Sequence, residues 1–129
     1  MTALLSFEPE TDIERRILEV QAGKYPADAL IQKIANSDLF IPSKGEVLED
    51  GSGFVPLLLE QAGMPFVAVF TTLSRQPRDM AEYLLKANGR AFFLRLPPGY
   101  GVIFNPGYDA QLLLPPDGVA ILKLDLHKA

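Results

Sequence analysis

Residues 64–108 restrict the fold more than any other part of the chain, because they set an apolar run, a helical pattern and a second apolar run in series. The pattern predicts a strand over 65–70, a polar corner over 71–75, a helix over 77–87 and a strand over 91–96. Two strands joined through a helix form a βαβ unit, and such crossovers leave their strands parallel in one sheet. Ser74 suits the N-cap of the helix and Pro77 its first turn, where a missing N–H costs nothing. Met80, Ala81, Leu84 and Leu85 would form its buried stripe, with Arg78, Glu82 and Lys86 laddered four apart on the wet side. Asn88-Gly89 reads as its stop. The run 91–96 is almost wholly apolar, as suits a strand covered on both faces. Pro97-Pro98-Gly99 breaks it, a short return strand follows over 101–104, and Asn105-Pro106-Gly107-Tyr108 makes a second corner.

Upstream the pattern is helical. Thr11 and Glu14 have capping-box spacing, which predicts a helix over 12–22 with Ile13, Ile17, Leu18 and Val20 turned inward. Asp12–Arg16 and Arg15–Glu19 stand four apart and can pair on the exposed side. Gly23 stops this helix. Pro26 opens a second one, in which Ala27, Leu30, Ile31 and Ile34 recur at helical spacing until Asn36. Such a helical hairpin lays its apolar stripe on the sheet or on a partner. A strand over 39–42 ends at its proline, and the acidic, glycine-containing stretch 43–53 reads as a loop with Val47-Leu48 as a short strand inside it. A strand over 54–60 and a turn over 61–63 predict an antiparallel hairpin with the strand from Pro65. In the tail, Leu122, Leu124 and Leu126 alternate with Lys123, Asp125 and His127, which predicts a strand over 119–126. A helix is the other reading there, since Val119 and Leu122 also fit helical spacing. The expected class is therefore α/β (α+β): an N-terminal helical hairpin packed on a mixed, mostly antiparallel sheet with one βαβ crossover, in one domain over 1–129.

Charge and composition narrow the function classes. Twelve Lys and Arg stand against sixteen Asp and Glu, a formal net charge of -4, so the overall field repels phosphate backbones and argues against nucleic acid as a partner. The chain has no cysteine, which removes disulfides, thiol catalysis and thiolate metal sites together. The first ten residues lack the basic start and apolar length of a signal peptide, and no run reaches the roughly 18 apolar residues of a membrane span. The expectation is a cytoplasmic protein of bacterial type, without membrane association.

Three stretches carry a family likeness: Phe40-Ile41-Pro42, Val69-Phe70-Thr71-Thr72 and Val102-Ile103-Phe104-Asn105-Pro106-Gly107. In this order and spacing the chain resembles the SseB (enhanced serine sensitivity) N-terminal-domain family. Members show a strand ending in proline, a strand ending in Phe-Thr-Ser or similar, and an Asn-Pro-Gly corner. Thr72 stands here where serine is common. The likeness spans nearly the whole chain and is best over 38–109. Many members carry a further C-terminal domain, to which no part of this sequence corresponds. The resemblance implies a fold and no established enzymatic activity.

The first corner is the candidate ligand site. It follows a strand of parallel type and enters a helix, where backbone N–H groups and the dipole favour an anion. Thr71, Thr72 and Ser74 add hydroxyls, and Arg75 and Arg78 add charge. The second corner is the candidate partner surface, formed by Asn105, Gly107 and Tyr108 with Tyr100 nearby, since aromatics with a polar tip suit interfaces. Pro106 and Gly107 meet the requirements of a type II turn, and Asn105 can bond its own backbone. Catalytic sets are thin. His127 is the sole histidine and lies near the end, which argues against a Ser-His-Asp arrangement, and zinc has neither a second imidazole nor a thiolate. An acid-base enzyme would need a buried acid. The leading expectation is a non-catalytic protein-binding or adaptor domain with a protein partner, no cofactor and no metal; a homodimer is compatible with it. The alternative is a sensor binding an anionic metabolite at 71–78.

Overall fold

The computed structural model describes residues 8–50, 52–75 and 79–128. Two helices come first, α1 (Asp12–Gln21) and α2 (Ala27–Ala35), followed by β1 (Asp38–Ser43), β2 (Leu58–Gln61) and β3 (Met64–Val69). After a 3-10 turn at Leu73–Arg75 come β4 (Tyr83–Asn88), α3 (Gly89–Arg95), β5 (Gly101–Phe104), β6 (Leu112–Leu114) and α4 (Pro116–Lys128). Strands run in the order β2-β3-β5-β6 in one sheet and β1-β4 in a second. The pairs Phe40–Phe70 and Ser43–Pro56 join the two. All pairings are antiparallel except β3–β5, which is parallel from Phe66–Gly101 to Val69–Phe104. The α+β class, the helical hairpin, the mixed sheet and the crossover are as the sequence implies. No helix among the described residues is long and apolar enough to cross a membrane.

Inside the crossover the expected elements are exchanged. The segment read as a helix over 77–87 ends in strand β4, which pairs with β1 from Asp38–Asn88 to Ser43–Tyr83. Tertiary pairing overrides the helix propensity of Tyr83-Leu84-Leu85-Lys86-Ala87. Pro77 and Arg78, and Gly51 of the acidic loop, lie outside the described residues, as do residues 1–7 of the N-terminal stretch. The apolar run 91–96, read as a strand, falls in α3. Asn88 is not a helix stop but its N-cap, with its side chain accepting from the Ala91 N–H at 3.3 Å. Phe92, Phe93 and Leu96 turn to the core while Ala91 and Arg95 face solvent. That is helical spacing, hidden in a run too short to show its period. Residues 101–104 are thus no return strand but the parallel partner of β3.

Two further expectations need correction. Residues 119–126 form no strand; they lie in α4, where Val119, Leu122 and Leu126 are buried and Leu124 is exposed. Leu122 and Leu126 belong to both periods, so the alternation came from Leu124 alone. Val47 and Leu48 lie in no strand, although the Leu48 N–H closes the loop on the Ser52 carbonyl at 2.9 Å. On α1, Arg15 and Arg16 both reach Asp12, and it is Arg16 that pairs with Glu19, at 2.8 Å.

The core lies between the helices and one sheet face. Ile17, Leu30, Ile34, Phe93 and Leu126 from the four helices meet Leu39, Ile41, Val67, Val69, Val102 and Phe104. Phe66, Ala68 and Ile103 point to the other face, covered by Leu57 and Leu59. β3 and β5 are therefore buried on both sides, as parallel strands usually are. Polar contacts fasten α4 to α3: the Arg90 guanidinium donates to the Leu126 carbonyl, and Lys123 donates to the Leu96 carbonyl.

Candidate functional site

Because β3 and β5 are parallel, their carboxyl ends lie together, and the two corners singled out in the sequence meet there. Asn105 ties them. Its side chain is fully buried, its Oδ1 accepts from the Thr71 N–H at 3.0 Å, and its Nδ2 donates to the Ala110 carbonyl at 3.1 Å. The Thr71 hydroxyl shares both ends of the same amide. The turn itself is of type II: the Tyr108 N–H reaches the Asn105 carbonyl at 3.1 Å, and Gly107 supplies φ 90°. Helix α1 holds the far side, with the Gln21 amide donating to the carbonyls of Asp109 and Gln111.

Arg75 is drawn into the protein rather than towards a ligand. Its Nε donates to Glu14 Oε2 at 2.8 Å and its Nη2 to Glu14 Oε1 at 3.1 Å. A further Nη2 contact reaches the Glu8 carbonyl, and the guanidinium lies 5.2 Å from the Tyr108 ring centre. Donating to Glu14 raises the pKa of the guanidinium above its ordinary value, against the burial that would lower it. Glu14 is the buried acid that sequence reading did not find. Thr11 caps α1 by accepting from the Glu14 N–H, while the Glu14 carboxylate takes the Glu10 N–H at 2.7 Å and both Arg75 bonds. The capping spacing identified Glu14; nothing local tells that its carboxylate meets an arginine 61 residues away. Among the described residues Ser74 caps no helix. It lies in the 3-10 turn and donates to Glu10, and Thr72 stands within 3.5 Å of its hydroxyl. Arg78 lies outside the described residues.

Tyr100 belongs elsewhere. It precedes β5, whereas Tyr108 follows it, so the two aromatics flank opposite ends of the strand. At the Tyr100 end lies an apolar groove of about 940 Å³. Its floor comes from Val67, Leu85, Phe92 and Leu96, with Tyr100 at one side and the segment 54–58 at another. Three apolar side chains stand open to solvent around it: Leu48 at 55%, Val55 at 48% and Leu58 at 43%. Glu49 and Asp50 mark the loop rim and Arg95 the rim beside α3, with Lys86 of β4 also among the lining residues. Sequence reading placed Leu85 in a buried helical stripe and Leu58 in a strand, and saw no groove. The signal, apolar residues flanking an acidic loop, becomes legible only once β4 is a strand.

The family model of the SseB protein N-terminal domain matches residues 13–120. No curated protein and no solved structure matches the chain. The match covers most of the sequence, α1 through the first turns of α4, and the chain belongs to this family.

Proposed function

We propose that this SseB N-terminal domain is a non-catalytic binding domain that docks an apolar segment of another protein in the groove beside Tyr100. The supporting observation is the gathering of Leu48, Val55 and Leu58, all solvent-exposed, at the rim of one apolar groove. Scattered exposed leucines are ordinary; several around one concavity with charged rims have the make-up of an interface. The partner surface thus keeps Tyr100 from the sequence-based set and leaves Asn105, Gly107 and Tyr108 to hold the opposite end of the sheet. The alternative of an anionic metabolite at 71–78 draws less support, because Arg75 is already bonded to Glu14.

The reading is tested by affinity capture from an extract of the source organism, comparing the wild-type chain with Val55→Asp, Leu58→Asp and Tyr108→Ala. A partner recovered by wild type and Tyr108→Ala, and lost from both aspartate variants, is expected. Partners retained by both aspartate variants would place the interaction away from the groove. A thermal-shift screen against phosphorylated and carboxylate metabolites addresses the alternative, and a shift abolished by Thr72→Val would favour it.

A further inference from the structure

The backbone of β4 offers a more specific mode of binding, which rests on the groove reading above. β4 has a single strand neighbour, β1. In an antiparallel pair each residue turns its N–H and C=O both towards its partner or both away, in alternation. Phe40 of β1 exchanges both its bonds with Phe70, at 2.9 and 2.8 Å, on the side away from β4. Pro42 likewise turns its carbonyl away, to the Leu57 N–H. Their cross-strand partners are Lys86 and Leu84. These two residues therefore direct N–H and C=O outward, and among the described residues no backbone or side-chain group supplies either with a partner there.

The groove meets this edge. Leu85 and Ala87 line it and pack against the core, while Lys86 between them projects to the opposite face and brings its backbone to the groove. We infer that the partner segment binds as an added strand along the outer edge of β4, hydrogen-bonded to Lys86 and Leu84. Side chains on either side of the residue facing Lys86 then fall beside Leu85 and Ala87 and must be apolar. The residue facing Lys86 shares that lysine's face, where a carboxylate is favoured and a cation disfavoured. Lys86 has only a loose exposed contact with Asp38, at 3.7 Å. The recognition pattern is apolar–acidic–apolar in extended conformation, the edge-addition mode in which main-chain bonds give affinity and alternate side chains give specificity. A second copy of this chain fits poorly, because the antiparallel register that pairs the outward residues of two β4 edges sets Leu84 opposite Lys86 and offers that lysine no acid.

Selection of a displayed random dodecapeptide library on the full chain tests this. Enriched peptides are expected to alternate apolar residues around an Asp or Glu. For the strongest binder, made synthetically and followed by fluorescence anisotropy, N-methylation at the residue facing Lys86 should weaken binding about ten-fold or more, since it removes an edge hydrogen bond and adds a clash. On Lys86→Glu, reselection should exchange the acid for Lys or Arg, with the unfolding midpoint unchanged. Winners lost on Leu58→Asp but indifferent to N-methylation or to Lys86→Glu would overturn strand addition and leave the groove reading standing. Helically spaced winners would do the same. No enrichment, or winners indifferent to Leu58→Asp, would overturn both.

Discussion

Asn105 keeps a left-handed backbone, φ 53°, with its side chain fully buried and every polar atom engaged. Alanine there would leave the Thr71 N–H and the Ala110 carbonyl without their partner and hold a Cβ residue in a disfavoured conformation. Asn105→Ala should cost about 2–4 kcal/mol in urea unfolding, with Asn105→Asp between it and wild type. Asparagine is favoured at this corner by its tolerance of positive φ and its amide, which both accepts and donates. A cost near zero would mean that the two corners are held together by packing alone. The Glu14–Arg75 pair behaves differently. Glu14 is fully buried and Arg75 partly so, with 14% of its side chain exposed, so removing the arginine strands the carboxylate in a poor solvent. Arg75→Met should cost about 3–5 kcal/mol, whereas Glu14→Leu with Arg75→Met should recover much of the loss. The double-mutant cycle in denaturant separates the two outcomes. Equal losses for the single and the double variant would show that the pair contributes more than apolar packing could replace.

At the level of elements, close approach decides what sequence patterns leave open. Gly89 opens α3 against the end of α2, and a Cβ there would lie 2.2 Å from the Ile34 carbonyl oxygen. Gly89→Ala should therefore destabilise by about 1–3 kcal/mol, measured by thermal unfolding, although alanine is the better helix former. A gain in stability would mean that α2 can move aside. The same glycine shows why the crossover was only half legible. Asn88-Gly89 suits a helix end, and equally an N-cap followed by a tight contact; local chemistry does not choose between them. Tyr83-Leu84-Leu85-Lys86-Ala87 likewise accepts either state, and pairing with β1, more than 40 residues earlier, selects the strand. By contrast α1, α2 and the β2–β3 hairpin carry their own signals, the Thr11 cap, Pro26 and the turn over 61–63, whereas Pro42 does not end β1 but pairs with Leu84 inside it. Of the site residues, Thr71, Arg75, Asn105 and Tyr108 were legible only as members of two separate corners; the parallel pairing of β3 with β5 is what brings them together. The groove escaped notice because its floor combines β3, β4 and α3, two of which were read with the wrong element.

Across the molecule the two ends of the β3–β5 pair have different physical characters, and this separates stability from binding. At the carboxyl ends the polar groups close on one another: Asn105 with Thr71, Arg75 with Glu14, and Tyr108 against the guanidinium. At the amino ends an apolar groove lies open, its rim residues Val55 and Leu58 roughly half exposed and so adding little to the fold. A substitution at one end should therefore leave the other's property intact. Tyr108→Ala is expected to lower stability by about 0.5–1 kcal/mol or somewhat more through the lost ring contact, with capture of the partner unchanged. Leu58→Asp is expected to keep the unfolding midpoint within about 0.5 kcal/mol of wild type, the usual range at exposed positions, while capture is lost. Calorimetry and capture on the same two preparations read both properties at once. If Leu58→Asp unfolds the chain, the rim of the groove is part of the core and its exposure no longer argues for a partner. If Tyr108→Ala abolishes capture at full stability, the binding surface lies at the carboxyl ends of the parallel strands instead.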